Sequence, residues 1–219
     1  MAKQKLQRFD ELNNFFGEMD LPDAEKQNRV KLADAIAEVF DYVFFLISTK
    51  LEKREYIDYI DLISLVEVRF ADAIETYRPN LIANYPELRN YPNEVARQIV
   101  ETTTRHIQPL ETHSDGNTQY GVDTHYFLSQ DRSTTIGENE ANTVGNAVAL
   151  QDAIDAGYEY KTWRTMGDEF VRDTHSIING QTIGINELFQ VGGSQMLFPR
   201  SEEGSAEETV NCRCTLEFK

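Results

Sequence analysis

Cysteine is almost missing from this 219-residue chain: Cys212 and Cys214 are the only two. That excludes a disulfide-stapled scaffold. A bond between residues two apart would close a very tight ring, and a cytosolic chain would keep both thiols reduced. Long apolar runs are missing too. The longest, Tyr42-Val43-Phe44-Phe45-Leu46-Ile47, lies between Asp41 and Lys50, far short of the roughly 18 residues that a membrane helix needs. The opening Met1-Ala2-Lys3-Gln4-Lys5-Leu6 has no apolar stretch of the secretory kind, so a soluble chain made in the cytosol is expected. There is no cluster of Lys and Arg. The net charge is −16 and the pI about 4.6, a balance that repels free DNA or RNA. No internal repeat of solenoid period is present.

What the chain does have is apolar material, 40% hydrophobic and 11% aromatic, enough for a core. In the first half it is spaced for helices. Leu6, Phe9, Leu12, Phe15 and Phe16 predict a helix over residues 3–19. Pro22 opens the next, residues 23–50, on the face of Val30, Ala33, Ile36, Ala37, Phe40, Val43, Phe44 and Ile47. A third is expected over 54–77 with Ile57, Ile60, Leu62, Ile63, Val66, Phe70, Ala73 and Ile74, stopped by Arg78-Pro79-Asn80. A short piece at 80–85 precedes a helix that starts at Pro92-Asn93-Glu94, carries Val95, Ile99, Thr103 and Ile107, and ends before Pro109. No pairs of inward carboxylates or histidines recur, so these stripes read as core rather than as a cofactor site.

The polar stretch around Thr112–Thr118 reads as a linker or surface loop. The second half mixes elements. Residues 131–156 predict a helix, capped by Ser129 or Asp131, with Ile136, Ala141, Val144, Val148, Leu150, Ala153 and Ile154 as its apolar side and Gly157 as its stop. Gly137 and Gly145 inside it each cost about 1 kcal/mol against Ala and mark close packing. Tyr158–Met166 alternates as a strand, and a short helix from Asp168 or Glu169 to Ile178 follows. Asn179-Gly180 is a tight turn before a strand at 181–185. Asn186–Phe189 reads as a turn or bulge, residues 191–199 as a flexible loop, Ser201–Glu208 as an acidic surface tract, and Cys214–Phe218 as a closing strand. The fold class expected is α+β: a helical N-terminal bundle, then a helix packed on a small antiparallel sheet. The expected domains are a helical bundle at 1–112, a linker at 113–130 and an α+β domain at 131–219.

The residues that exceed what burial demands are Trp163, Asp168, Arg172, His175, Gly180, Cys212, Arg213 and Cys214. The expectation is that they build and pin the domain. Trp163 anchors helix–sheet packing, Asp168 or Glu169 caps the short helix, and Arg172 pairs with an acid. His175 bonds into the Asn179-Gly180 turn, and Arg213 is free to pair with an acid such as Glu169. In an extended run Cys212 and Cys214 share a face and Arg213 takes the other. Two chemical alternatives stay open. His175 as general base, Arg172 as phosphate ligand and Glu169 or Asp168 as acid would make a nuclease-like or transferase-like effector. His175, Cys212 and Cys214 would suit zinc, with Asp173 or Asp168 as fourth ligand. No cofactor is expected otherwise, and His106, His113 and His125 carry no assigned chemistry.

The order of these elements resembles the phage Mu F-like minor head proteins, a family of phage head morphogenesis. The resemblance covers residues 128–218: Asp131-Arg132-Ser133-Thr134-Thr135-Ile136, the helix to Gly157, Lys161-Thr162-Trp163, Gly167–His175, Asn179-Gly180-Gln181, Glu187-Leu188-Phe189 and Asn211-Cys212-Arg213-Cys214. One departure stands out. After Thr135-Ile136 the family usually has Ala-Arg-Thr-Glu, and this chain has Gly137-Glu138-Asn139-Glu140. The resemblance implies a structural, non-enzymatic minor capsid protein, held inside the virion head near the portal after synthesis in a bacterial cytoplasm. It implies the portal and capsid proteins as partners and DNA packaging or delivery only indirectly, with no membrane and no small-molecule substrate. The helical first half contributes no motif and corresponds to a variable, portal-facing region.

Overall fold

The computed structural model describes residues 2–79, 81–85, 88–107, 109–112, 118–120 and 124–219. The fold is α+β, with long helices and small antiparallel sheets. Its residues form two compact units: Met1–Ala33 with Glu138–Lys219, and Asp34–Gly137. The first 33 residues therefore group with the sheet-bearing half. Of the segment read as a linker, residues 113–117 and 121–123 lie outside the described residues.

The unit 34–137 is helical. α2 (Asp23–Lys53) supplies Ile36, Phe40, Val43, Phe44 and Ile47 to its core. α3 (Tyr59–Tyr77) is capped by Asp58, whose carboxylate accepts from the Ile60 and Asp61 amides at 3.0 and 3.2 Å. It buries Leu62, Val66, Phe70 and Ile74. Ile60, expected on that stripe, is exposed because it sits in the first turn, where nothing packs on it. α4 (Leu81–Asn84) leads to α5 (Tyr91–Ile107), whose Tyr91 ring meets Phe70 at 5.9 Å. β1 (Pro109–Thr112) and β2 (Thr118–Tyr120) pair antiparallel, and α6 (Thr124–Phe127) follows. Arg132 is buried here. It donates to Thr103 Oγ1 at 2.7 Å and to the Phe127 carbonyl at 2.8 Å, over the Phe44 and Phe127 rings. Desolvation holds its pKa down to about 10.

The other unit is organised on α7 (Gln130–Asp155). Ser129 caps that helix by accepting from the Arg132 amide at 3.2 Å, and Gly157, at φ 83°, ends it. β3 (Tyr160–Arg164) lies between β4 (Thr182–Gly184) and β7 (Thr215–Phe218), antiparallel to both, with Trp163 opposite Leu216 and Thr162 opposite Thr182. α8 (Asp173–Ile178) starts later than the sequence suggests. Residues 168–171 form a turn instead, because the Asp168 side chain accepts from the Phe170 amide at 3.1 Å and so competes with the helix. The stretch read as a turn and a flexible loop is a hairpin, β5 (Phe189–Val191) with β6 (Ser194–Met196), joined by Gly192-Gly193. Phe189, Val191 and Met196 enter the core at the period of two that a strand dictates. The acidic tract is likewise not all surface: α9 (Ala206–Thr209) buries Glu208. In α1 (Ala2–Gly17), Leu12 and Phe16 are buried, while Leu6 and Phe9, expected on the same face, are exposed.

One apolar cluster centres on Trp163, with Ile178, Phe189, Val191, Met196, Cys212 and Cys214 around it, and a second gathers Leu150, Ala153 and Ile185. Trp163 is fully buried and meets His175 and Phe189 edge-on at 5.5 and 5.2 Å. Among the described residues no helix is long and apolar enough to cross a membrane.

Candidate functional site

The site is built where α8, α9 and the segment 211–214 meet beneath Trp163. His175 stands on α8 and is 1% exposed. Its Nδ1 faces two sulfurs, Cys214 Sγ at 3.3 Å and Cys212 Sγ at 3.6 Å. Its Nε2 faces Glu208 Oε2 at 3.1 Å, and the same oxygen accepts from Thr174 Oγ1 at 2.8 Å. Each ring nitrogen of His175 thus has a polar neighbour, the carboxylate on one side and the two sulfurs on the other. Both cysteines are free and buried.

The two thiols are not equivalent. Hydrogen bonding from Cys214, helped by His175, holds Cys212 well below the usual thiol range against the opposing effect of burial. The same interaction with Cys212, together with burial, pushes Cys214 up. The pair therefore holds one proton firmly and releases the other readily. Among the described residues Trp163 Nε1 is buried without a hydrogen-bond partner, yet it and the Arg172 charge lie close enough to favour a Cys214 thiolate.

The 211–214 segment is held in place by α7. Asn142 Nδ2 donates to the Cys212 carbonyl at 2.9 Å, and Asn146 Nδ2 donates to the Cys214 and Pro199 carbonyls, each at 3.1 Å. Asn139 Oδ1 accepts from the Asn211 amide at 2.9 Å. These asparagines are themselves fixed. Arg29 donates to Asn142, to Asn146 at 3.2 Å and to Glu25 at 2.9 Å. Arg200 donates to Asn139 at 2.7 Å, to Thr143 at 2.9 Å and to the Thr209 carbonyl. Gly145 is what admits Arg29: a Cβ there would lie 2.4 Å from the guanidinium carbon. None of Arg29, Asn139, Asn142, Asn146, Arg200 or Glu208 was singled out from sequence. The asparagines carried a signal, recurrence at three and four residues among the apolar positions of α7. Glu208 carried none, lying in a run of acids.

Several expected partners differ. Arg213 pairs with Asp168, at 2.6 and 2.8 Å, rather than with Glu169, which is exposed. The turn at 168–171 aims Asp168 at the strand and Glu169 at solvent. Arg172 reaches the Val210 carbonyl instead of an acid. His175 bonds to Glu208 and the thiols instead of the Asn179-Gly180 turn. That turn is closed by Gly180 N donating to the Trp163 carbonyl at 2.9 Å and Thr165 N to Asn179 Oδ1 at 3.1 Å, with Gly180 at φ 81°. Of the alternative catalytic set, Arg172 and His175 line one cavity of about 10 Å³, room for a single water-sized group. For metal, His175, Cys212 and Cys214 bring their ligand atoms within 4.8 Å of one another. Asp168 is engaged by Arg213 and Asp173 is exposed, so neither completes that set. His106 stacks on Phe127 at 4.0 Å, whereas His113 and the side chain of His125 lie outside the described residues.

Residues 93–217 match the family described as Phage Mu protein F like protein, which is more than half of the chain. The chain belongs to that family. Membership places it in a family of phage head morphogenesis. The match begins in α5, well before the Ser129 cap, and so takes in part of the helical half that offered no motif. A curated relative, "Uncharacterized protein YqbB" of Bacillus subtilis (strain 168), is 40% identical over 94 residues, 41% of this chain and 31% of the relative. The chain thus spans about a third of the length of that relative. No solved structure matches the chain. At the position where the family's usual basic residue is replaced, Glu138 is half-buried near Glu11. Desolvation and that neighbouring charge raise its pKa to about 7. Arg200, from a distant part of the sequence, brings a cation to the adjoining turn, where it lies against Asn139 and 3.7 Å from Glu140.

Proposed function

We propose that this chain is a minor head protein of a phage: a structural component of low copy number, incorporated with the portal during head assembly and retained in the virion. The observation that carries this reading is the family match over residues 93–217. The polar groups support it. The side chains in the best-defined site are spent on one another and on backbone carbonyls, the use expected of a scaffold. The net charge of −16 favours basic protein surfaces as partners and disfavours direct hold on DNA, so any part in packaging or delivery runs through the portal and capsid proteins. The domain reading follows the same line: the α+β portion is the family's fixed part and the N-terminal helices face the portal or capsid.

The test is quantitative mass spectrometry of purified particles against the major capsid and portal proteins. The expected result is this chain present at a portal-like copy number. Its absence from particles, with the protein free in the lysate, overturns the reading.

A further inference from the structure

We propose that His175, Cys212 and Cys214 form a zinc site with three protein ligands and a water in the fourth position, serving to fasten the segment before β7 to α8. The proposal rests on geometry and is independent of the virion role above.

The spacing fits the ion. Zinc–sulfur bonds of about 2.3 Å and zinc–nitrogen bonds of about 2.0–2.1 Å at tetrahedral angles separate sulfur from nitrogen by about 3.5 Å. The observed separations from Nδ1 are 3.3 and 3.6 Å. A chance meeting of buried thiols with a histidine has no reason to equalise the two distances.

The outer shell fits as well. A ligating histidine ordinarily donates its second ring N–H to a carboxylate, which fixes tautomer and ring orientation. Glu208 occupies that place at 3.1 Å and is itself oriented by Thr174. Gly192 makes room for the carboxylate, since a Cβ there would lie 2.2 Å from Glu208 Oε1. Among the described residues Trp163 Nε1 is a buried donor with no partner, and a metal-bound Cys214 thiolate supplies the acceptor it lacks. Charge also balances, since two thiolates neutralise the dication. The fourth position is provided for by the cavity of about 10 Å³ that the two cysteines and His175 line together with Met166 and Arg172, the size of one water. Asn142 and Asn146 hold the carbonyls of the two cysteines from behind, so the thiols are pre-aimed before any ion arrives.

The experiment uses the full chain, purified under reducing conditions, stripped by chelator and titrated with Zn²⁺ and with Co²⁺. One zinc per chain is expected. The cobalt form is expected to show thiolate-to-metal charge transfer together with tetrahedral ligand-field bands, both displaced by zinc. Cys214→Ser should abolish the charge transfer or weaken it by about half. Should that variant fail to fold, Glu208→Gln keeps every ligand and should lower zinc affinity 10–100-fold, the usual effect of losing an outer-shell partner. A folded wild-type chain that takes up less than a tenth of an equivalent of either metal and gives no cobalt spectrum overturns the proposal. So does recovery of Cys212 and Cys214 as a disulfide from protein isolated without reductant.

Discussion

Asn146→Ala should unfold this chain far more easily than its chemistry suggests, because one small side chain serves three buried partners. Its Nδ2 donates to the Pro199 and Cys214 carbonyls, and its Oδ1 accepts from Arg29. The residue is 1% exposed, so water cannot replace it without opening the packing. A buried polar group left without its partner costs roughly 1–3 kcal/mol. Arg29 keeps its bond to Asn142, so the two carbonyls carry most of the loss, and the sum is about 3 kcal/mol. For a chain of this size each kcal/mol moves Tm by about 2–4 °C, which predicts a fall of about 6–12 °C. The assay is urea and thermal unfolding followed by the fluorescence of Trp163, the only tryptophan, which reports on the unit that holds the site. Gln151→Ala, on the same helix but half-buried and, among the described residues, bonded only to the exposed Asp155, is the control and should change stability by no more than about 0.5 kcal/mol. The variant should also let Ellman's reagent reach Cys214 faster, since its backbone has lost its tether. A loss below about 1 kcal/mol, or no difference from the control, would refute the claim that the asparagines of α7 hold the site together.

Two further substitutions test the same helix. Gly145→Ala should destabilise by about 1–3 kcal/mol through overpacking, although the exchange is worth about 1 kcal/mol of stability in an open helix. The reason is that its Cβ meets Arg29, and a stabilised variant in urea unfolding would contradict the close approach. Glu138→Gln tests the buried acid, whose folded pKa is raised from 4.5 to about 7. A raised carboxyl binds its proton more tightly folded than unfolded, so wild type loses stability as pH climbs from 4.5 to 7 and stays at the lower level above. The variant should match wild type below pH 4.5 and exceed it by about 1–2 kcal/mol at pH 8, a figure reduced from the full linkage value because the group is partly solvated. A stability difference that does not change with pH would sink that account.

The long helices were legible because their apolar residues recur at helical spacing and because Ser129 and Gly157 mark the ends of α7, whereas α3, expected from residue 54, starts only after its Asp58 cap. β3 and the Asn179-Gly180 turn were legible for similar local reasons. The site was legible only in its sulfur and imidazole members. Glu208 escaped because a run of acids reads as solvated, and what buries it is α9 turning it onto His175, a tertiary fact. The β5–β6 hairpin escaped because Gly192-Gly193 looks like slack, although Phe189, Val191 and Met196 already alternated inward. Residues 168–171 were read as helix because Asp and Glu favour a first turn, but Asp168 instead bonds its own backbone and pairs with Arg213.

The asparagine ladder shows why a polar stripe can specify a fold that an apolar one leaves loose. Asn142 and Asn146 are four residues apart on α7, a rise of about 6 Å. Cys212 and Cys214 are two residues apart on an extended segment, a rise of about 6.6 Å. The two spacings nearly coincide, so one turn of helix addresses alternate residues of the segment, whose carbonyls point the same way. A slip of one residue would offer Asn142 and Asn146 the wrong carbonyls. It would also move both thiols off His175 and turn Arg213, now 2.6 Å from Asp168, into the apolar cluster around Trp163. Apolar packing alone would resist such a slip weakly, since Leu216 and Phe218 could each find another neighbour. The buried hydrogen bonds resist it because each is directional and carries a large cost when unmade. The register of the last strand is therefore set from α7, some seventy residues earlier in the chain, and the sulfur–imidazole site depends on that register being right.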